Sequence, residues 1–291
     1  MAEALTEIKL PGVPLLKKGK VRDVFDLQDK LLIVSSDRIS AFDVVLNQGI
    51  PQKGQILNRL SCFWFNYTKS IVENHFITAE PDEYPPILRQ HLPILSERSM
   101  LVKKAKMIPI ECVVRGYLAG SAWEEYKARG TIAGNRYPNM VVGQKLPRPI
   151  FTPSTKATSG HDQNITVEEA GKIVGDQVID FLEETSIKVY QAAYEYALKK
   201  GIIIADTKFE FGFDGDTIIL IDELFTPDSS RFWAKEDYCE GTSPPSFDKQ
   251  FLRDYLISIK WSRQPPAPDL PQEIIEKTKA KYLEAQKRLL G

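Results

Sequence analysis

The sequence predicts a globular fold that mixes strands and helices, and three features carry that reading. The first third is strand-like, with β-branched and alternating runs between turn residues. A long stretch from Thr166 keeps helical spacing and closes at Gly201. After Gly201 the period changes to two, before helical patterns return near the C-terminus.

Taken in order, Val21 to Phe25 and Leu31 to Ser35 flank a polar turn, Leu27-Gln28-Asp29-Lys30, and read as a hairpin. Leu57 to Val72 is amphipathic enough for a helix. Ser99 to Lys106 is a short strand candidate, and Ile110 to Arg115 is a β-branched run that breaks at Gly116. Tyr137 to Pro153 is proline-rich and opens a long loop reaching about Asn164. Thr166 with Glu169 forms a capping-box pattern. The apolar periodicity that follows is long enough for two helices in series, and Lys199-Lys200-Gly201 ends it with cations and a glycine. A helix over Ser246 to Trp261, a linker Gln264-Pro265-Pro266-Ala267-Pro268 and a last helix from about Pro271 to Leu289 complete the chain.

Composition narrows the function. The 291 residues hold 38 Lys plus Arg against 39 Asp plus Glu, a net charge of -1. That balance supports neither a basic nucleic-acid groove nor a polybasic membrane anchor. Three scattered cysteines (Cys62, Cys112, Cys239) write no disulfide framework or Cys-x-x-Cys zinc site. Three histidines argue against a multi-His metal centre, so any metal is expected to be Mg²⁺ held by carboxylates. With no apolar leader and no membrane-length apolar run, the expectation is a soluble cytoplasmic protein binding neither nucleic acid nor membrane.

The segment 202–224 concentrates the chemistry. Asp206, Lys208 and Glu210 alternate onto one strand face, with Thr207, Phe209 and Phe211 on the other. Asp214-Gly215-Asp216 is a turn signal, and Thr217 to Glu223 returns as a second strand. A three-residue loop would pair Phe213 with Thr217 and put Asp222 on the face of Glu210, where two carboxylates can close around one cation. A two-residue loop would point Asp222 the other way. A solvated face balanced by an internal lysine gives the same alternation. Against it, Ile202-Ile203-Ile204 and Ile218 to Ile221 are continuous apolar runs, as in strands buried on both sides.

Gly19-Lys20-Val21-Arg22-Asp23 sits where the first hairpin begins. Its glycine lets backbone amides approach a phosphate, and Lys20 and Arg22 alternate onto one face. The spacing is not a P-loop, and no GxGxxG, kinase set or GxSxG elbow occurs. Two polar clusters, Ser35 to Asp43 and Lys156 to Asp162, fall in loop context, where ordinary Asx and Ser turns would look the same. His161 is equally compatible with a structural hydrogen bond.

The segments GKVRDVF (19–25), SSDRISAFD (35–43), PIECVVRGYLAGSAW (109–123), SGHD (159–162), ADTKFEFG (205–212) and DELFTPDSSRFW (222–233) occur in an order that closely resembles the SAICAR synthetase family, in its longer form. The resemblance implies an α+β, two-lobed ATP-binding fold, akin to ATP-grasp enzymes and distantly to protein kinases. Its lobes would be 1–108, a β-rich ATP-binding lobe, and 109–291, carrying the Mg²⁺ and substrate sites with the C-terminal helices. The implied reaction of purine biosynthesis ligates L-aspartate to the carboxylate of CAIR (carboxyaminoimidazole ribonucleotide) with ATP, through an acyl phosphate. Carried over by motif, Gly19, Lys20, Arg22 and Lys156 would meet ATP phosphates. Lys104 and Met107 would lie in an adenine hinge, and Glu210 and Asp222 would hold Mg²⁺. Lys208 would contact nucleotide, while Asp206 and Asp43 would orient the imidazole or the amine. Arg115 and Ser121 would bind the CAIR phosphate or ribose, and Ser230 and Arg231 would meet CAIR or aspartate. A monomer or homodimer is expected. A nucleotide-binding regulator and a different carboxylate–amine ligase are the competing classes.

Overall fold

The first predicted hairpin forms about its expected turn in the computed structural model, which describes residues 3–156, 163–247 and 249–291. β1 (Leu15–Lys18), β2 (Arg22–Asp26) and β3 (Lys30–Ser35) run antiparallel. β4 (Ser40–Ala41) and β5 (Val44–Val45) form a separate small ladder, followed by α1 (Lys53–Thr68). β6 (Phe76–Thr78), the short α2 (Leu92–Leu95) and β7 (Ser99–Lys103) complete this stretch. The five-stranded sheet has the order β1-β2-β3-β7-β6. Its edge strand β1 is exposed along its length and ends in two lysines, which discourage pairing with another chain. Phe25, Leu32, Val34 and Leu101 bury one face against Ile8, Leu10, Tyr84 and Leu88.

Helix α1 starts four residues before the sequence reading places it. Gly54, in its first turn, allows close approach: a Cβ on it would lie 2.2 Å from the Ser35 carbonyl oxygen. Its N–H donates to Asp37 at 2.9 Å.

The second unit comprises Trp64–Asn74 and Ala105–Ser246. Its elements are β8 (Lys106–Met107), β9 (Ile110–Tyr117), α3 (Gly120–Arg129), β10 (Thr131–Ile132), β11 (Asn135–Arg136), β12 (Lys145–Phe151), β13 (Ser154–Thr155), α4 (Val167–Val174), α5 (Asp176–Lys199), β14 (Ile202–Asp214), β15 (Thr217–Ile221) and β16 (Ser230–Ala234). The main sheet runs β12-β9-β14-β15, with β13 on β9 and with β16 and β8 on β14. The capping box at Thr166 is complete, and Gly175 at φ 93° separates α4 from α5, the two helices in series.

Two expectations fail here. The proline-rich stretch expected as loop contains β12 as an edge strand, where Pro147 and Pro149 remove donors that no neighbour needs and shift the register. The run expected to break at Gly116 continues to Tyr117. Gly116 is a crossing point: a Cβ there would stand 2.0 Å from the Tyr190 hydroxyl, which donates to the Ile204 carbonyl at 2.6 Å.

The C-terminal helices α6 (Gln250–Ser258) and α7 (Gln272–Leu290) follow. The sequence reading divides the chain at 108/109 and assigns these helices to the second lobe. The structure instead divides it at Lys104/Ala105 and places Phe247–Gly291 with Met1–Phe63 and His75–Lys104. The reason is apolar burial: Leu252, Leu256, Leu270 and Ile275 pack with Ile39, Ala41, Leu46 and Ile50.

Candidate functional site

In the first unit, the turn from β1 to β2 is built around Gly19. Its N–H donates to the Arg22 carbonyl at 2.8 Å, and a Cβ on Gly19 would lie 2.6 Å from that same oxygen. Only glycine fits without moving the turn. Lys20 forms an ion pair with Asp43, so two of the expected site residues meet. Asp43 and Phe42 fill the two-residue turn between β4 and β5 at φ 65° and 50°. Hairpins favour this mirror-image turn, but Phe rarely enters it. The Arg263 guanidinium lies 4.3 Å from the Phe42 ring centroid and packs the tip. Arg22 is half-buried on β2 opposite Ser35.

Lys104 donates to both Asp26 oxygens, at 3.0 and 2.9 Å. That bond, with the Gln28 N–H, holds the Asp26 carboxyl below its ordinary range. The Lys104 ammonium therefore tethers this stretch to the β2–β3 hairpin. Met107 is exposed on β8 opposite Gly212.

In the second unit, alternation along β14 holds as expected. Thr207, Phe209 and Phe211 are buried, and Asp206, Lys208 and Glu210 share the other face. Arg115 on β9 pairs in register with Asp206, and Arg231 on β16 pairs with it from the other side. Arg115 is 5% exposed and all three of its nitrogens are used. Nε donates to Thr152 at 2.9 Å, Nη1 to Asp206 at 3.3 Å and Nη2 to Ser121 at 2.9 Å. Arg231 also donates to Asp206 Oδ2, leaving Oδ1 as the oxygen neither guanidinium engages. Burial pulls Arg115 below its ordinary pKa, and Asp206 opposes that. Gly120, the first residue of α3, lets Arg231 lie over the helix start, since a Cβ would come 2.6 Å from Nη2.

Further along this face Lys208 donates to Glu111 at 2.8 Å, and Lys156 pairs with Glu210. The result is four cations, Arg115, Lys156, Lys208 and Arg231, interleaved with the carboxylates Glu111, Asp206 and Glu210. Such a face can receive anions by exchanging internal partners for external ones. Ser230 does not join it. Its hydroxyl lies 2.8 Å from Thr207 Oγ1 on the buried side, because neighbours on a strand point to opposite faces. Glu111 and Thr152 are the residues that sequence reasoning missed. The available signal for Glu111 was its parity with Arg115 on one strand.

The hairpin register corrects the argument for Glu210 and Asp222. Asp214 pairs with Thr217 and Phe213 with Ile218, so the loop has two residues, Gly215 and Asp216. Parity alone would then turn Asp222 to the face of Phe209. Asp222 instead stands one residue past β15 at φ 69°, which breaks the alternation and leaves it half-buried beside Ile221, the partner of Glu210. Asp222 is thus the residue that follows the partner of Glu210, and strand parity does not set its side-chain direction. Among the described residues, no three or more His, Cys, Asp or Glu form a metal-holding group. The SGHD segment, with His161, lies outside the described residues.

Comparison with known proteins adds the following. The family model described as SAICAR synthetase matches residues 15–268. The phosphoribosylaminoimidazole-succinocarboxamide synthase of Thermodesulfovibrio yellowstonii is 54% identical over 98% of this chain and 98% of its own. That of Geobacter sulfurreducens is 50% identical over 100% and 99%. A solved SAICAR synthase from Saccharomyces cerevisiae, complexed with SAICAR, superposes with a TM-score of 0.91 at 44% identity, covering 98% of each chain. A SAICAR synthetase in complex with ADP gives 0.69 at 27% identity, over 94% of this chain and 97% of its own.

Proposed function

The chain belongs to the SAICAR synthetase family, and we propose how its own residues carry out that family's reaction. The enzyme ligates L-aspartate to CAIR with ATP in purine biosynthesis. In the first step a CAIR carboxylate oxygen attacks the γ-phosphorus and the bond to ADP breaks. The aspartate amine then attacks the acyl carbon, phosphate leaves, and the nitrogen gives up a proton as the amide forms. Every reactant is an anion, so the chain must supply positive charge and position.

The interleaved cations and carboxylates on the β9–β14–β16 face carry this reading. Gly19, Lys20 and Arg22 would take ATP phosphates, with Lys20 leaving Asp43 to do so. Lys156 would likewise leave Glu210 for a phosphate. Backbone groups of the Lys104 to Met107 stretch would bind adenine. Arg231, whose side chain is 29% exposed against 6% for Arg115, is the more open of the two arginines and would meet CAIR or aspartate, while Arg115 would hold Ser121 and Asp206 in place beside it. Two guanidiniums already engage Asp206, which suits it to orient the imidazole or the amine. Asp43, once released, would do the same.

The donor set of Glu210 and Asp222 is two carboxylates, one at the end of the β14–β15 ladder and one on the residue that follows it, which fits a hard divalent cation that takes its remaining ligands from water and phosphate oxygens. When bound there, Mg²⁺ would neutralise charge on the transferring phosphoryl group. We assign the enzyme to the cytoplasm as a monomer or homodimer; among the described residues no helix is long and apolar enough to cross a membrane.

The test is ADP release with each substrate omitted in turn. Turnover should require ATP, Mg²⁺, CAIR and aspartate together, and robust turnover without aspartate would sink the assignment.

A further inference from the structure

The turn that carries Lys20 is held from behind by a set of donors with no partner role in the chemistry above. Arg38 is 6% exposed, and its guanidinium is bound to Asp23, itself 1% exposed. Its remaining donors reach backbone: Nη2 donates to the Gly19 carbonyl at 3.1 Å and Nε to the Lys20 carbonyl at 3.2 Å. Ser36 takes the next carbonyl of the turn. Its N–H and its hydroxyl donate to Val21 O at 2.9 and 2.5 Å. Arg38 Nη1 also ties the turn's support to the N-terminal segment through Thr6 O at 2.8 Å.

Three consecutive carbonyls, those of Gly19, Lys20 and Val21, are therefore fixed on one side of the turn. In a trans peptide the carbonyl and the following N–H point in opposite directions. Fixing those oxygens toward Arg38 and Ser36 turns the amides of Lys20 and Val21 away from them, as an anion-binding turn requires. We propose that Arg38, with Ser36, is a positioning residue for nucleotide binding: it holds the Gly19–Val21 turn in the orientation that receives phosphate, without touching the nucleotide itself. This rests on the assignment of ATP phosphates to that turn.

Arg38→Lys keeps a charge toward Asp23 but cannot reach both carbonyls, because an ammonium lacks the rigid fork. If the held orientation falls to about a tenth of the population, apparent affinity falls about tenfold. Arg98→Lys is the control. Arg98 is buried in an equivalent pair with Asp37 and bonds the Ser35 carbonyl, but makes no bond to the turn. Lys20→Met tests the assignment on which the proposal rests.

The probe is ADP with Mg²⁺, titrated calorimetrically against each variant, alongside KM for ATP, CAIR and aspartate. Arg38→Lys should raise the ADP dissociation constant and the KM for ATP about tenfold, leaving the KM values for CAIR and aspartate near those of the parent. Arg98→Lys should leave ADP binding unchanged. Equal losses in Arg98→Lys and Arg38→Lys would mean general destabilisation and overturn the proposal. So would unchanged ADP binding in Arg38→Lys while Lys20→Met weakens it, an outcome that leaves the assignment of the turn intact. Unchanged binding in both would remove the turn from the nucleotide site altogether. Should Arg38→Lys fail to fold, Ser36→Ala removes only the hydroxyl bond to Val21 O, and it should weaken ADP binding by a smaller factor; no change there would refute the clamp.

Discussion

Asp206→Asn replaces the carboxylate held between two guanidiniums by a neutral amide of the same shape. The side chains of Arg115 and Asp206 are 6% and 12% exposed, so water cannot take the place of the lost charge. Removing one partner of a buried ion pair costs about 3–5 kcal/mol. The amide oxygen still accepts one hydrogen bond, which favours the lower end, about 3 kcal/mol. At about 2–4 °C per kcal/mol for a chain of this size, the unfolding midpoint should drop by about 6–12 °C. Arg115 and Arg231 would also be left facing each other with no carboxylate between them. Inorganic phosphate should then bind and stabilise the variant by mass action, narrowing the gap to the parent as its concentration rises. Thermal unfolding followed by circular dichroism at several phosphate concentrations reads both effects. A variant that melts with the parent would show that Asp206 does not hold the two arginines, and the argument for this face as an anion receiver would fail with it.

Glu210→Gln and Asp222→Asn keep shape and remove one charge each from the proposed Mg²⁺ site. Turnover should fall by orders of magnitude with the unfolding midpoint little changed, and near-normal turnover at limiting Mg²⁺ would remove either residue from the site. Gly116→Ala drives a methyl into the Tyr190 hydroxyl and strains its bond to Ile204. The expected loss is about 2–4 kcal/mol, read by denaturant titration, and a stability equal to the parent's would mean that the crossing relaxes freely. Burial pushes the Tyr84 phenol up to about 12 and the Cys62 thiol up to about 12. Both protons are bound more tightly in the folded state. Their contribution is therefore complete below about pH 8, begins to fall as the unfolded thiol and then the unfolded phenol titrate, and is lost as the pH rises toward 12. Tyr84→Phe should flatten part of this alkaline decline, worth about 3 kcal/mol at its end; an unchanged slope would rule the phenol out as its source.

Local signals survived into the structure and non-local ones did not. The capping box at Thr166 and Glu169 was legible because both partners lie within one turn of helix. Gly175, which parts α4 from α5, acts on its own backbone and is equally local. The turn at Asp214-Gly215-Asp216 announced a hairpin, but its letters allow loops of two or three residues. The choice was made by the ladder, where Phe213 meets Ile218. Asp222 escaped parity through its own positive φ, which no neighbouring residue type demands. The pairing of Lys208 with Glu111 joins residues 97 apart, and α6 and α7 find Ile39 and Leu46 from more than two hundred residues away. Such partners are chosen by the assembled sheet and core, so periodicity alone could not name them. Most of the charged face was readable as residues, because alternation along β14 needs no partner. Its internal pairing was not, and Ser230 fell on the wrong side for the same reason.

The grouping of Phe247–Gly291 with the N-terminal segments has a consequence for how the chain is made. Synthesis delivers residues in order at about 5–20 per second. The second unit, nearly all of it contiguous from Ala105 to Ser246, has its residues in hand before the last helices exist. The first unit has its sheet long before then but lacks the helical cover for Ile39, Ala41, Leu46 and Ile50. For the seconds needed to make and release those last residues, that apolar patch is open to whatever else is on the ribosome surface. A premature stop in this region would make the exposure permanent, even though every residue of the charged face had already been translated.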